Sequence, residues 1–167
     1  RTETAPAIDG RPEEDEWKRV EAVTDFSPTT PPTRLKVAYD DKNLYVLVRC
    51  EHLPGRQIQA EKRERDGRVW RDDDVETWFE TESDDGKVRY HFGVNALGSF
   101  LDSGPGGGGY DPEWSRATTQ AAEAWTLEMA YPLQAFGLEA WPAKMKFNIG
   151  RVTPGFPQTV WCGQWGR

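Results

Sequence analysis

Short runs with a period of two constrain this chain more than any other feature. Leu35, Val37 and Tyr39 share one parity, as do Val46, Val48 and Cys50, and then Tyr90, Phe92 and Val94. Alternation of this kind places successive side chains on opposite faces of a β-strand, leaving one face for a core. Residues 74–80 repeat the pattern, with Val75, Thr77 and Phe79 against Glu76, Trp78 and Glu80, and it recurs at 125–131 and 146–152. Turn residues separate the runs: Asp40-Asp41-Lys42-Asn43, Asp84-Asp85-Gly86 and Ala96-Leu97-Gly98. Short strands are also expected at 99–102 and 160–165. With 16 Gly and 12 Pro in 167 residues, helix is expected only as single turns at 13–17 and at 132–136, the latter begun by Pro132 and stopped by Gly137. At least seven short strands predict an all-β chain, an antiparallel β-sandwich of jelly-roll type, as one domain over 1–167. Residues 54–73 read as a long polar surface loop, and the SGPGGGG run at 103–109 as a mobile one.

Charge excludes several classes. Lys and Arg number 21 against 28 Asp and Glu, a net charge of −7. Duplex nucleic acid and anionic membrane surfaces are disfavoured partners, because both are bound through basic patches. No apolar run approaches the ~20 residues of a membrane helix. The absence of an initial Met and of a leader reads as a mature or excised segment. Two Cys and two His argue against structural zinc. Cys50 lies in phase with Val46 and Val48; it is either a buried thiol or the partner of Cys162 in a bridge worth roughly 4–5 kcal/mol.

The aromatic content is high for an acidic domain, with eight Trp, five Tyr and seven Phe. Trp17 and Trp125 fit a core. Trp70 stands in a charged loop, six positions before Glu76. Parity puts Glu76 and Trp78 on one strand face, His91, Gly93 and Asn95 on another, and Asn148 and Gly150 on a third. If these form one sheet surface, the two glycines open space beside Trp78, Glu76, His91 and Asn95, as strand glycines do where a ligand or another backbone approaches. Glu76 is then either a hydroxyl acceptor or the partner of Arg151 or Arg71. Trp78 either lines the site or fills the groove. Arg151 is in phase with Phe147 and Ile149, yet sits at a strand end near the rim. The Asp72-Asp73-Asp74 run is oxygen-rich and suits a hard cation such as calcium.

Several segments together carry a resemblance. PAIDG and EEDEW open the chain; LKVAYDDKNLYVLVRCE, VWRDDDVETWFE, YHFGVNALGSFLD, AWTLEMAYPLQAFG and FNIGRV follow in order across residues 6–151. This order resembles the family 9 carbohydrate-binding modules and the DOMON-like group around them. The resemblance implies a sugar-binding β-sandwich, tethered to other domains of a larger secreted protein that degrades polysaccharide, with structural calcium. It also implies that Trp70 and Glu76, in Trp70-Arg71-Asp72-Asp73-Asp74-Val75-Glu76, match a W-x-x-D-x-V-E sugar-site pattern. A Trp face stacks on the apolar face of a pyranose, and a carboxylate accepts hydrogen bonds from adjacent hydroxyls. A second clamp Trp is implied near the C-terminus, at Trp161 or Trp165. Gly93 stands where the family can carry Arg, and Gly150 where it can carry Gln.

The expectation is a monomeric, extracytoplasmic, non-catalytic module binding a glycan through Trp70, Glu76, Trp78, His91, Asn95, Arg151 and Trp161 or Trp165. Three other readings stand beside it. A structural or protein-interaction module predicts no sugar binding. A haem domain of the DOMON type would need Met129 and His91 as axial ligands. Glycoside hydrolysis would need a carboxylate pair from Glu76, Glu80 and Glu128, but nothing in their spacing requires one.

Overall fold

The computed structural model describes residues 1–12, 15–83 and 86–162. Alternation becomes nine strands among them: β1 (Thr33–Tyr39), β2 (Asn43–Glu51), β3 (Asp74–Ser83), β4 (Gly86–Asn95), β5 (Phe100–Ser103), β6 (Ser115–Gln120), β7 (Ala124–Pro132), β8 (Lys146–Val152) and β9 (Thr159–Val160). One antiparallel sheet has the order β1-β2-β7-β6 and the other β5-β4-β3-β8-β9. The apolar parities face each other. Leu35, Val46, Val48, Leu127, Met129 and Tyr131 from the first sheet meet Val75, Phe79, Phe92, Val94 and Ile149 from the second. Aromatic rings fill the centre edge-on or tilted. Phe92 lies 4.8 Å from Tyr131 and 5.1 Å from Trp114, and Phe79 lies 4.9 Å from Phe136. The one hydroxyl pair there satisfies itself, Thr77 Oγ1 to Tyr131 OH at 2.8 Å. Trp17 and Trp125 are fully buried, as parity and composition suggest.

Helix is confined to α1 (Asp15–Lys18) and three 3₁₀ turns, and among the described residues no helix is long and apolar enough to cross a membrane. Glu13, Glu14, Asp84, Asp85 and residues 163–167 lie outside the described residues, so the expected ends of the first helical turn, of the Asp-rich turn and of the last strand are not all covered. The turn at Leu133–Phe136 ends on Gly137 at φ 63°, the left-handed stop its sequence requires. Two expectations change. Strand β6 was not foreseen, because SRATTQ has no apolar alternation; it forms by pairing with β7 at a sheet edge. The glycine-rich segment is structured in part: Gly107–Gly109 form a 3₁₀ turn, and Gly104 packs so closely on the Tyr110 ring that a Cβ would come within 2.8 Å. Cys50 and Cys162 are both free thiols, and burial pushes the Cys50 thiol up to about 12.

The N-terminal segment closes the outer face of the first sheet. Glu128, fully buried there, accepts Trp17 Nε1 (2.7 Å), Gly10 N (2.7 Å) and Asp9 N (3.1 Å). Around it Trp17 packs with Ala38, Tyr45, Leu47 and Ala130. Gly10 permits this approach, with φ at 83° and a Cβ position only 2.6 Å from Thr119 Oγ1. On the outer face of the second sheet lie Glu76, Trp78, Glu80 and His91.

That second face is held by charge at one end. Glu80 lies opposite Arg89 and Lys146 in the strand register. It accepts Lys146 Nζ (2.9 Å) and Arg89 Nε (3.0 Å), with Lys87 Nζ at 3.3 Å. Hydrogen bonds from Lys146 and Arg89 lower its carboxyl from the ordinary 4.5 to about 2. A depressed carboxylate contributes stability that is present above its unfolded pKa and lost as pH falls through the folded one. Glu80 is therefore expected to contribute to acid unfolding between about pH 4.5 and 2. Urea unfolding across that range should show a shallower loss of stability in Glu80→Gln than in the wild type; equal slopes would remove Glu80 from the acid response.

Candidate functional site

The register of the second sheet assembles the parity groups. Across the outer face, Trp78 lies opposite His91 on β4 and Asn148 on β8; Glu76 lies opposite Gly93 and Gly150. The Trp78 and His91 rings stack at 5.3 Å, inclined by only 10°. Glu76 is almost buried. Its Oε2 accepts Gln158 Nε2 at 2.8 Å, and its Oε1 lies 3.3 Å from His91 Nε2. The residues brought together are thus Glu76, Trp78 and His91, with Gln158 from the loop after β8.

The space above the two glycines is not left for a ligand. A Cβ on Gly93 would meet Val69 Cγ2 and Leu101 Cγ, each at 3.2 Å. One on Gly150 would meet Gln158 Nε2 at 3.0 Å and the Trp78 ring at 3.1 Å. Both glycines instead admit side chains of loops that cross the sheet on either side of Glu76. The Gln158 amide occupies the space over Gly150, the position at which the resemblance had allowed a Gln.

Those two crossing loops carry the exposed aromatics. Val69–Arg71 form a 3₁₀ turn in which Val69 is fully buried over Gly93 and Trp70 is 47% exposed. On the other side, Thr153-Pro154-Gly155-Phe156 makes a turn closed by Phe156 N to Thr153 O at 2.9 Å, with Gly155 at φ 86°. Phe156 is 45% exposed, two residues before Gln158. Among the described residues only Tyr39 is a further exposed large hydrophobic side chain. Phe156 and Gln158 escaped the sequence reading because they lie in a loop with no periodicity; the Pro-Gly turn just before them was the available signal.

Other expected members go elsewhere. Asn95 is fully buried and saturated: Nδ2 donates to Asp72 Oδ2 and Glu61 O, both at 2.8 Å, while Oδ1 accepts Ser99 N (2.9 Å) and Leu97 N (3.1 Å). Arg151 follows its parity inward and donates to Pro32 O (3.0 Å) and Glu51 O (2.9 Å), away from Glu76. Trp161 packs 6.0 Å from the Phe147 ring and beside residues 21–25, on the side opposite to Glu76. Trp165 lies outside the described residues. Met129 accepts Tyr131 OH in the core and His91 sits on an outer face, so the two do not converge on one iron.

The acidic run is not arranged around a cation. Asp72 is bidentate with Arg63 (Nε 2.9 Å, Nη2 2.8 Å), and Asp73 holds Arg56 Nη1 through both oxygens at 2.8 Å. Burial pushes the Asp72 carboxyl up, but the bonds from Arg63 and Asn95 outweigh it and hold it below its ordinary value. Asp74 is fully buried, with no well-formed side-chain hydrogen bond among the described residues and only the Val152 backbone amide to favour its charged form. Burial, then the neighbouring Glu76, push its carboxyl well above the ordinary range. Among the described residues, no group of three acidic, His or Cys side chains converges as a metal site. Asp72 and Asp73, taken up by arginines, and Asp74 beside them therefore do not fit the hard-cation site that their oxygen-rich run suggested.

A β-sandwich with one outer face closed by its own N-terminus, and the other carrying a carboxylate–amide pair with an exposed aromatic on each of the two loops packed on its flanking glycines, has the features of a carbohydrate-binding module. Residues 8–153 match the family described as carbohydrate family 9 binding domain-like, and the chain belongs to it as a non-catalytic carbohydrate-binding module. Its fold is similar to three solved structures. A candidate carbohydrate-binding protein from Bacteroides uniformis aligns with TM-score 0.67 and 21% identity, over 86% of this chain and 78% of that one. A family 9 module from Caldicellulosiruptor kristjanssonii in complex with cellotriose gives 0.64 and 19%, over 96% and 83%. The glucose complex of a family 9 module from the same organism gives 0.65 and 18%, over 97% and 85%. No curated protein sequence matches the chain.

The state of Asp74 is open to measurement. A carboxyl raised in the folded state favours folding below its unfolded pKa and loses that contribution as pH rises. Asp74→Asn, which removes the ionisable proton while keeping the shape, is expected to raise Tm at pH 7 and to have little effect near pH 3. A lower Tm at pH 7 would show that the ionised carboxylate is the stabilising form.

Proposed function

We propose that the module binds a glycan on the outer face of the second sheet, between Trp70 and Phe156, with Glu76 at the centre. The observation that carries this reading is the placement of the two exposed aromatics. They stand on loops that cross Gly93 and Gly150, the two register partners of Glu76. A pyranose with equatorial hydroxyls has apolar C–H faces and a polar rim. The aromatic rings suit the faces, and the rim suits Glu76 as acceptor with Gln158 and His91 beside it. The cellotriose and glucose held by the Caldicellulosiruptor modules support a β-linked glucan, or its glucose units, as the first ligand class to test. Membership of the family supports a module tethered to a larger extracytoplasmic protein that acts on polysaccharide. A monomer agrees with the closed first sheet, whose apolar outer residues are covered by the chain's own Trp17.

Isothermal titration with glucose, cellobiose, cellotriose and xylo-oligosaccharides, and pull-down on insoluble cellulose and xylan, test the reading. Trp70→Ala and Phe156→Ala are each expected to weaken binding at least tenfold, about 1.4 kcal/mol, with unchanged thermal unfolding. Wild-type affinity in Trp70→Ala would overturn the site. Binding to no member of the panel would turn the search to a protein partner.

A further inference from the structure

Trp70 stands at the end of a long segment with little apolar anchoring of its own. Between Leu53 and Arg68 only Ile58 and Ala60 pack against the core. The remaining side-chain anchors include three arginines set on buried carboxylates: Arg56 on Asp73, Arg63 on Asp72, and Arg65 on Asp102 through both oxygens at 3.0 Å. Asp72 and Asp73 directly follow the 3₁₀ turn that carries Trp70 and directly precede β3, four and three positions before Glu76 respectively. The same two carboxylates also accept backbone amides of the segment, Gln59 N on Asp73 at 2.7 Å and Glu61 N on Asp72 at 3.4 Å. Each therefore ties the approaching loop to the start of the strand that bears the site.

We infer that Arg56 and Arg63 are positioning residues for Trp70, and that their guanidinium groups do at Asp72 and Asp73 what a bound cation would do at an acidic run of this kind. The inference rests on Trp70 being a ligand face. Arg63 meets Asp72 as a planar fork, two nitrogens on two oxygens, which fixes direction as well as charge and which a lysine ammonium cannot copy, while Arg56 sets one nitrogen across both oxygens of Asp73. The pairs are mostly shielded from water, with Asp72 and Asp73 almost fully buried, so salt screens them only weakly. Binding on this face is then independent of divalent cations.

The test uses the whole chain in four forms: wild type, Arg56→Gln, Arg63→Gln and Arg63→Lys. Amide hydrogen exchange by mass spectrometry reads residues 56–73 without any sugar. Both Gln variants are expected to raise exchange there at least tenfold while β3 and β4 stay protected, and Lys is expected not to restore it. EDTA is expected to leave the wild type unchanged. Exchange in 56–73 unaltered in both Gln variants, or raised as much by EDTA alone, would overturn the inference. Cellotriose titration adds the functional arm. Arg63→Gln is expected to weaken binding at least tenfold in the wild-type background and not at all in Trp70→Ala; equal losses in both would show that Arg63 acts independently of Trp70. If wild type itself fails to bind cellotriose, the proposed ligand fails, while the exchange measurements still decide how the loop is held.

Discussion

A buried carboxylate needs fixed partners, since breaking such a pair leaves an uncompensated charge at a cost of about 3–5 kcal/mol. Seven Asp and Glu residues are buried among the described residues of this sandwich, and most of its irregular structure is arranged around them. Glu128 collects the N-terminal segment through an indole and two backbone amides. Asp72, Asp73 and Asp102 collect the loop before β3 through three guanidiniums. Glu80 collects the charged ends of β4 and β8. The apolar core accounts for the two sheets facing each other. The carboxylates account for which outer face is covered and which stays open.

This division explains how far the sequence could be read. Strand parity is a local property with a fixed period, so alternation puts Glu76 and Trp78 on one face and His91 on one face of its own strand, and the register then brings the three together. Arg151 obeyed its parity and turned inward, because the carbonyls of Pro32 and Glu51 give it partners between the sheets that local sequence does not reveal. Asn95 was on the predicted face, yet its amide is consumed by Asp72 and the turn after β4. Phe156 and Gln158 were invisible for the complementary reason. Their place over Gly150 depends on a loop folding back across the sheet, and no periodic signal encodes that. The acidic run suggested a cation until three-dimensional pairing brought arginines from nine and seventeen residues away.

The glycines Gly93 and Gly150 show how a sheet surface becomes a site. A flat strand face would hold loops at the distance set by its side chains. Removing the Cβ on both sides of Glu76 lets Val69 descend on one flank, and Gln158 with the Trp78 ring on the other. The loops then reach the sheet at the two positions that bracket the carboxylate, and their neighbouring residues Trp70 and Phe156 are carried out into solvent. Glycine acts here by admitting the protein's own side chains, and the exposed aromatics of the proposed site stand one layer above.

The same layer sets where charge sits. Asp74 and Glu76 are two residues apart on one strand face, both buried or nearly so. Burial and the neighbouring Glu76 raise the Asp74 carboxyl, with only the Val152 backbone amide opposing them, so Asp74 is driven toward its neutral form. Glu76 has Gln158 Nε2 on one oxygen and His91 Nε2 at 3.3 Å from the other. On the proposed reading, a ligand hydroxyl at Glu76 would meet an acceptor already fixed by the Gln158 amide, beside an Asp74 held toward its uncharged form. Such a position suits a neutral polyol better than an anion, which is the chemical distinction a sugar-binding surface has to make.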